Sequence, residues 1–288
     1  MATQTQHWLM SRRDSLSGKL ARRGGALLVI LAALLAMGIY TLSDPANLAH
    51  NHVLDSADWA GYAVCHRITE RSFTINGRQL PLCARCTGMY LGVTLVFVVM
   101  ALSGRLRRSE FPPLRVLLIL VGFIGVMGID GINSYSHFFP DAPHLYEPKN
   151  WLRLLTGMGT GLTMGVFIFP ALAQTVWKRW DGRANITNFR ELGGLVAVGV
   201  SFVLLILSNQ PLILYVLALA SAAGLLMILA AINTTLLLII TRQDGKAERV
   251  WQTAVPLLIG LLFAIIEISA VSLLRFNLTG AMAGFPGL

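Results

Sequence analysis

Charge is scarce in this chain. Only 13% of its 288 residues are Asp, Glu, Lys or Arg, against 55% that are hydrophobic, and the mean hydropathy is +0.65. A soluble globular domain carries roughly 25% charged residues. There is too little charge here to cover a water-facing surface, so lipid must be the solvent for most of the chain. Acidic residues are scarcer still, 14 against 23 Lys and Arg, for a net charge of +9. That excess does not point to nucleic acid. The basic residues fall in short clusters between apolar runs, the pattern of membrane topology, not on one basic face or arm. Cysteine is limited to three, Cys65, Cys83 and Cys86, too few for a relay of two disulfides. No internal repeat and no pair of broken apolar segments is visible, so the usual sequence pointers to transport are missing.

What is abundant is long apolar runs. A spanning helix needs roughly 20 mainly apolar residues. Seven segments qualify, at about 25–42, 88–103, 114–130, 152–176, 192–208, 211–240 and 253–274. The sixth is overlong and must tilt or extend past the bilayer. Ser208-Asn209-Gln210-Pro211 reads as a tight turn between the fifth and sixth. The expected fold class is therefore all-α, a polytopic membrane bundle of about seven helices. Sixteen of the 23 basic residues fall in the N-terminal tail and in alternate loops (Arg105 to Arg115, Lys178 to Arg190, Arg242 to Arg249). The positive-inside bias then places the N-terminus inside and the C-terminus outside, in a multi-pass plasma (inner) membrane protein. Ser11-Arg12-Arg13 faintly resembles a twin-arginine signal, but no good small-x-small cleavage site follows, and the first segment reads as a retained anchor. The expected organisation is a basic cytoplasmic tail at 1–24, an anchor at 25–42, a core module at 55–176 and a three-helix extension at 192–274. Gly88 and Gly92, Gly122 to Gly131 in steps of three, and Gly157, Gly161 and Gly165 predict close helix approach in spans two, three and four, because small residues let backbones touch in lipid.

The chemistry-bearing residues gather in the two loops expected outside, 43–87 and 131–151. Cys83-x-x-Cys86 precedes the second span, and Cys65-His66 lies upstream. Together they make a Cys3His set that fits tetrahedral zinc, with iron as the other candidate. A disulfide or redox pair, or three inert thiols, are the alternatives. Adjacent ligands such as Cys65 and His66 diverge unless the loop is irregular, and His50 and His52 offer other nitrogens. Arg67, Arg71, Arg78 and Arg85 crowd the same loop. Guanidinium grips phosphate or carboxylate bidentately and favours thiolate; ordinary headgroup contact is the plainer reading.

Asp130, Asn133, Ser134 and His137 share one stripe if their helix continues, and Asn150, Arg153, Thr156, Gly157 and Thr160 form another. Asp130 and Arg153 are expected to pair or to share a ligand, since an ionised group at a span end needs a partner. Glu267 interrupts the seventh span about 10 Å from its expected outer end. It is a candidate proton acceptor, or the partner of Arg85 or Arg153.

The run from Cys65-His66-Arg67 through Gly77-Arg78-Gln79-Leu80-Pro81-Leu82-Cys83-Ala84-Arg85-Cys86-Thr87-Gly88, with the later Asp130-Gly131 and Asn150-x-x-Arg153-x-x-Thr156-Gly157, resembles a family of prokaryotic membrane proteins catalogued as domain of unknown function 2085. The resemblance covers about residues 60–165. It implies a multi-span fold and a unit formed by these residues, and no established activity.

Three functions fit. In the first, a metalloenzyme acts on an anionic lipid or lipid-linked headgroup. Cys65, His66, Cys83 and Cys86 hold the metal. Arg67, Arg71, Arg85, Asn150 and Arg153 bind the anion, and Asp130, His137 or Glu267 moves a proton. A closed four-ligand site argues against it, because such zinc is usually structural. In the second, a non-enzymatic transport or assembly factor carries a metal- or disulfide-stapled loop. In the third, a thiol-disulfide or quinone-linked oxidoreductase uses the CxxC pair at the membrane surface. Membrane lipid is the expected partner in each, with a quinone in the third.

Overall fold

The computed structural model places Asn51–Leu288 in one compact unit. It describes residues 51–139 and 143–282, all in that unit. The expected anchor at 25–42, the basic tail and His50 lie outside the described residues.

Seven α-helices make up the described unit: α1 (His52–Val64), α2 (Ala84–Leu102), α3 (Leu114–Ser136), α4 (Asn150–Val176), α5 (Phe189–Leu207), α6 (Pro211–Ile240) and α7 (Ala254–Thr279). A short hairpin, β1 (Thr74–Ile75) with β2 (Arg78–Gln79), lies between α1 and α2. Helices α2 to α7 are long and apolar enough to cross a membrane. The chain is a multi-pass membrane helix bundle. Helix α6 keeps the range read from sequence, while α3 and α7 run further than their apolar cores, to Ser136 and Thr279. Helix α1 was not expected. Asn51 caps it by accepting from Leu54 N–H, and it lies across α6 and α7 at the cysteine end.

Helices α2 and α4 form the centre, and α4 is the most buried of the six long helices. They run parallel at near-backbone contact. A Cβ at Gly88 would fall 2.1 Å from the Leu154 carbonyl oxygen, one at Gly157 2.1 Å from that of Arg85, and one at Gly161 1.8 Å from that of Met89. Only glycine permits this approach. The expectation for α3 was wrong: Gly122, Gly125 and Gly128 face open space, and α3 and α7 are the least buried of the set. Helix α6 joins the centre through Gly224, where a Cβ would meet the Tyr90 carbonyl at 2.1 Å. The extension therefore packs on α2 with the same small-residue logic as the core.

At the end away from the cysteines, the three basic loops knit together. Strand β3 (Arg108–Glu110) pairs in parallel with β4 (Asp181–Ala184). Trp177 Nε1 donates to Leu106 O at 2.8 Å. Lys178 pairs with Glu248 at 2.6 Å, and Arg105 pairs with Glu191 at 2.7 Å. Pro170 interrupts α4 and cannot donate to Val166 O. The buried Asn185 side chain supplies the missing donor at 2.8 Å, so no backbone acceptor is lost where the loops meet the helix.

Gly88→Ala and Gly161→Ala should lower the thermal midpoint in detergent by several degrees or abolish expression. Gly122→Ala and Gly125→Ala should be neutral, or stabilising by up to about 1 kcal/mol, the cost of glycine within a helix. Equal effects at the two sets of positions would contradict a bundle held by the α2–α4 contact.

Candidate metal centre

The site is built on a sharp exit from α1. Cys65 closes that helix in an extended conformation, its N–H bonded to Gly61 O. Arg67 then takes φ +50°, a left-handed conformation that costs a non-glycine residue about a kilocalorie per mole or more. Its guanidinium offsets that strain by pairing with Asp58 Oδ1 at 2.9 Å and by reaching the Asp58 carbonyl. The turn lets His66 fold back so that its Nδ1 accepts Ile68 N–H at 3.1 Å. This is the irregular loop that adjacent ligands require.

The chain returns through the β1–β2 hairpin. Asn76 and Gly77 fill the turn with φ +47° and +88°, as the turn matching strand twist demands. Arg78 pins the hairpin to α1 through Asp55 and Asp58, each at 2.7 Å. Cys83 then caps α2 without using its side chain.

Cys65, His66 and Cys83 thereby come together, with one ligand atom from each within 4.8 Å of the others. Cys83 N–H donates to Cys65 Sγ at 3.2 Å. The neighbouring Cys83 and Cys86 thiols favour the charged form of Cys65 and hold it well below an ordinary thiol. Donating to Cys65 pushes Cys83 up. Cys65 and Cys83 are buried, Cys86 and His66 half-buried. Burial lowers the His66 pKa, and the positive field of Arg71, Arg85 and Arg153 lowers it further. Together these outweigh the opposing pull of Cys65 and favour the neutral ring that a metal ligand must be. His52 is exposed and lies beside Asp55, outside the cluster.

A polar network adjoins the thiols. The stripe read on α3 is real, and Asp130, Asn133 and Ser134 are buried. Of the two arrangements expected for Asp130 and Arg153, a direct pair or a shared ligand, the direct pair is not formed. Arg85 takes Asp130 Oδ2 as its ion-pair partner, because the close α2–α4 packing leaves its side chain free to cross to α3. Tyr146 OH donates to Oδ1 at 2.8 Å; burial and this bond push the phenol up to about 12. Arg153 instead reaches Asn150 Oδ1 and Ser134 Oγ. Asn150 gives its amide nitrogen to Glu70 O and Ser72 O, and Asn133 holds the 145–146 backbone over the network.

His137 contacts Asn133 O, His144 (rings 3.8 Å apart) and Glu147. Glu267 accepts from Asn233 at 3.0 Å on an exposed face of α7, twelve residues before the helix end at Thr279. Neither joins the cluster.

The sequence reading missed Arg275. From α7 its Nη1 donates to Tyr62 O and Cys65 O, each at 2.6 Å, and its guanidinium stacks on Tyr62 at 4.1 Å. It fixes the turn from which Cys65 is presented. The available signal was its position at the cysteine end of the last span.

A family profile described as a predicted membrane protein (DUF2085) matches residues 65–167. An uncharacterized protein of Methanothermobacter thermautotrophicus is 32% identical over 103 residues, 36% of this chain and 82% of the relative. This chain belongs to the DUF2085 family. A second uncharacterized relative, from Methanocaldococcus jannaschii, is 29% identical over 117 residues, 41% of this chain and 69% of that protein. No solved structure matches at comparable significance. The DUF2085 region holds every member of the Cys/His cluster and of the arginine network, and α5 to α7 lie beyond it.

Arg153→Ala should lower the thermal midpoint by several degrees, because it strips partners from buried Ser134 and from Asn150. Arg183→Ala, an exposed cation beside Asp181, should change it by no more than about one degree. Arg275→Ala removes two charged hydrogen bonds, each worth about 1.5–3 kcal/mol, and should destabilise at least as much as Arg153→Ala. Equal midpoints for all three would contradict these assignments.

Proposed function

We propose that this DUF2085 protein binds a single soft metal ion, zinc or iron, through Cys65, Cys83, Cys86 and His66, at the end of the bundle that the positive-inside bias places outside the plasma membrane. The ion ties the exit of α1 to the start of α2. The adjoining arginines present an anionic lipid or lipid-linked headgroup to it. The observation that carries the reading is the convergence of Cys65, His66 and Cys83 within 4.8 Å, although a hairpin separates the first two from the third.

The donors fit the ion unequally. Cys65 and Cys83 converge with His66, and Cys86 stands outside that group of three. His66 is the weaker ligand. Its Nδ1 accepts Ile68 N–H, which leaves the neutral ring's proton on Nε2. Ligation through either nitrogen gives up that bond. His66 is therefore the ligand that a water or substrate oxygen displaces most readily, and this keeps a metalloenzyme ahead of a purely structural staple. In that enzyme Cys65, Cys83 and Cys86 hold the ion, the ion supplies Lewis acidity, and the arginines orient the anion.

Purified wild-type protein should carry about one equivalent of zinc or iron. Cys83→Ser should lose it. His66→Ala should keep it with affinity roughly tenfold or more weaker. Metal analysis with a free-thiol count decides the matter. No metal and a single reactive thiol in the wild type would replace this reading with the thiol-disulfide or quinone-linked one.

A further inference from the structure

Three cations from three separate elements meet at Ser134. Arg71, from the turn at Thr69–Arg71, donates to Ser134 O at 3.1 Å. Arg85 of α2 donates to Ser134 Oγ at 3.2 Å, and Arg153 of α4 points Nε at the same oxygen at 3.4 Å. Ser134 is 1% exposed and Arg153 is 6% exposed.

One carboxylate, Asp130, stands among them, and both its oxygens are already engaged. Tyr146 takes Oδ1, while Arg85 and Thr156 share Oδ2. Among the described residues no carboxylate lies within ion-pair distance of Arg71 or Arg153, and the buried Nε of Arg85 has no hydrogen-bond partner. Arg153 is the buried one of the three, and burying its charge without a counter-ion costs several kilocalories per mole. Helices α2 and α4 also begin here side by side, and neither has a side-chain cap at its N-terminus. Each start adds about half a positive charge. Even a divalent ion held by three thiolates would add only one negative charge, too little to balance the remainder.

We propose that Arg71, Arg85 and Arg153 form a binding site for a phosphate-type oxyanion, supplied as free phosphate or as the headgroup phosphate of a membrane lipid. This deepens the reading above by naming the ligand class; it rests on the arginine mouth and not on the metal. Three guanidinium groups gathered at one residue suit a tetrahedral group with several acceptor oxygens better than a planar carboxylate with two. Arg67 is excluded because Asp58 holds its guanidinium. Asn150 is a positioning residue, its amide nitrogen and oxygen both engaged.

The test titrates inorganic phosphate into detergent-purified protein by calorimetry at constant ionic strength. In a second arm, thermal stability is compared in phosphatidylcholine vesicles with and without phosphatidic acid. Saturable phosphate binding is expected, weakened at least tenfold by Arg71→Gln and by Arg153→Gln and unchanged by Arg183→Gln. Arg153→Lys keeps the charge and checks folding; it should bind more weakly than wild type because the fork is lost. Stabilisation by phosphatidic acid alone, absent in Arg71→Gln, assigns the phosphate to lipid. Failure of both ligands on wild type, or equal binding by every variant, overturns the proposal. Metal content is measured on the same samples. Phosphate binding that survives in metal-free Cys83→Ser protein keeps this site even where the metal reading fails. Metal retained by wild type that binds neither phosphate nor phosphatidic acid keeps the metal reading and overturns this site.

Discussion

The backbone-to-backbone contact of α2 with α4 is the constraint on which the rest depends. Glycines at 88, 157 and 161 let each helix rest on the other's carbonyl oxygens, in a solvent where no hydrophobic force drives helices together. Two parallel helices in such contact also begin side by side. Cys83 and Cys86 mark the start of one, and Arg153 lies in the first turns of the other. Thiols, cations and two positive helix ends are therefore concentrated at a single point of the bundle.

That concentration is costly, and the surrounding structure is arranged around it. Asp130 takes three donors. Asn133 and Asn150 spend their amides holding the neighbouring loops. Asp58 and Asp55 between them pair with Arg67 and Arg78, and Arg275 clamps the carbonyls at the end of α1. Helices α3 and α7 contribute one charged side chain each to this end while showing lipid most of their length. At the opposite end Arg105, Lys178 and Arg183 each pair with a nearby carboxylate.

Much of this was legible in the sequence. Apolar run length identified the six described spans, and the polar stripes on α3 and α4 followed from helical spacing. The glycines were read correctly only where they recur every fourth residue. Four residues advance a helix by about 400°, so Gly157, Gly161 and Gly165 stay on one stripe, whereas steps of three slip back about 60° each time and spread Gly122 to Gly131 around the helix. Asn76-Gly77 was a local hairpin signal that went unread. The partner of Asp130 and the role of Arg275 were not legible, because each depends on which of several cations a long side chain can carry across a packed interface. Arg275 acts more than two hundred residues from Cys65.

X-ray absorption at the metal edge of the purified protein tests the central claim most directly. The account predicts a first shell dominated by sulfur at about 2.3 Å with at most one lighter atom at about 2.0–2.1 Å. A shell of oxygen and nitrogen alone, or no bound metal, would contradict it.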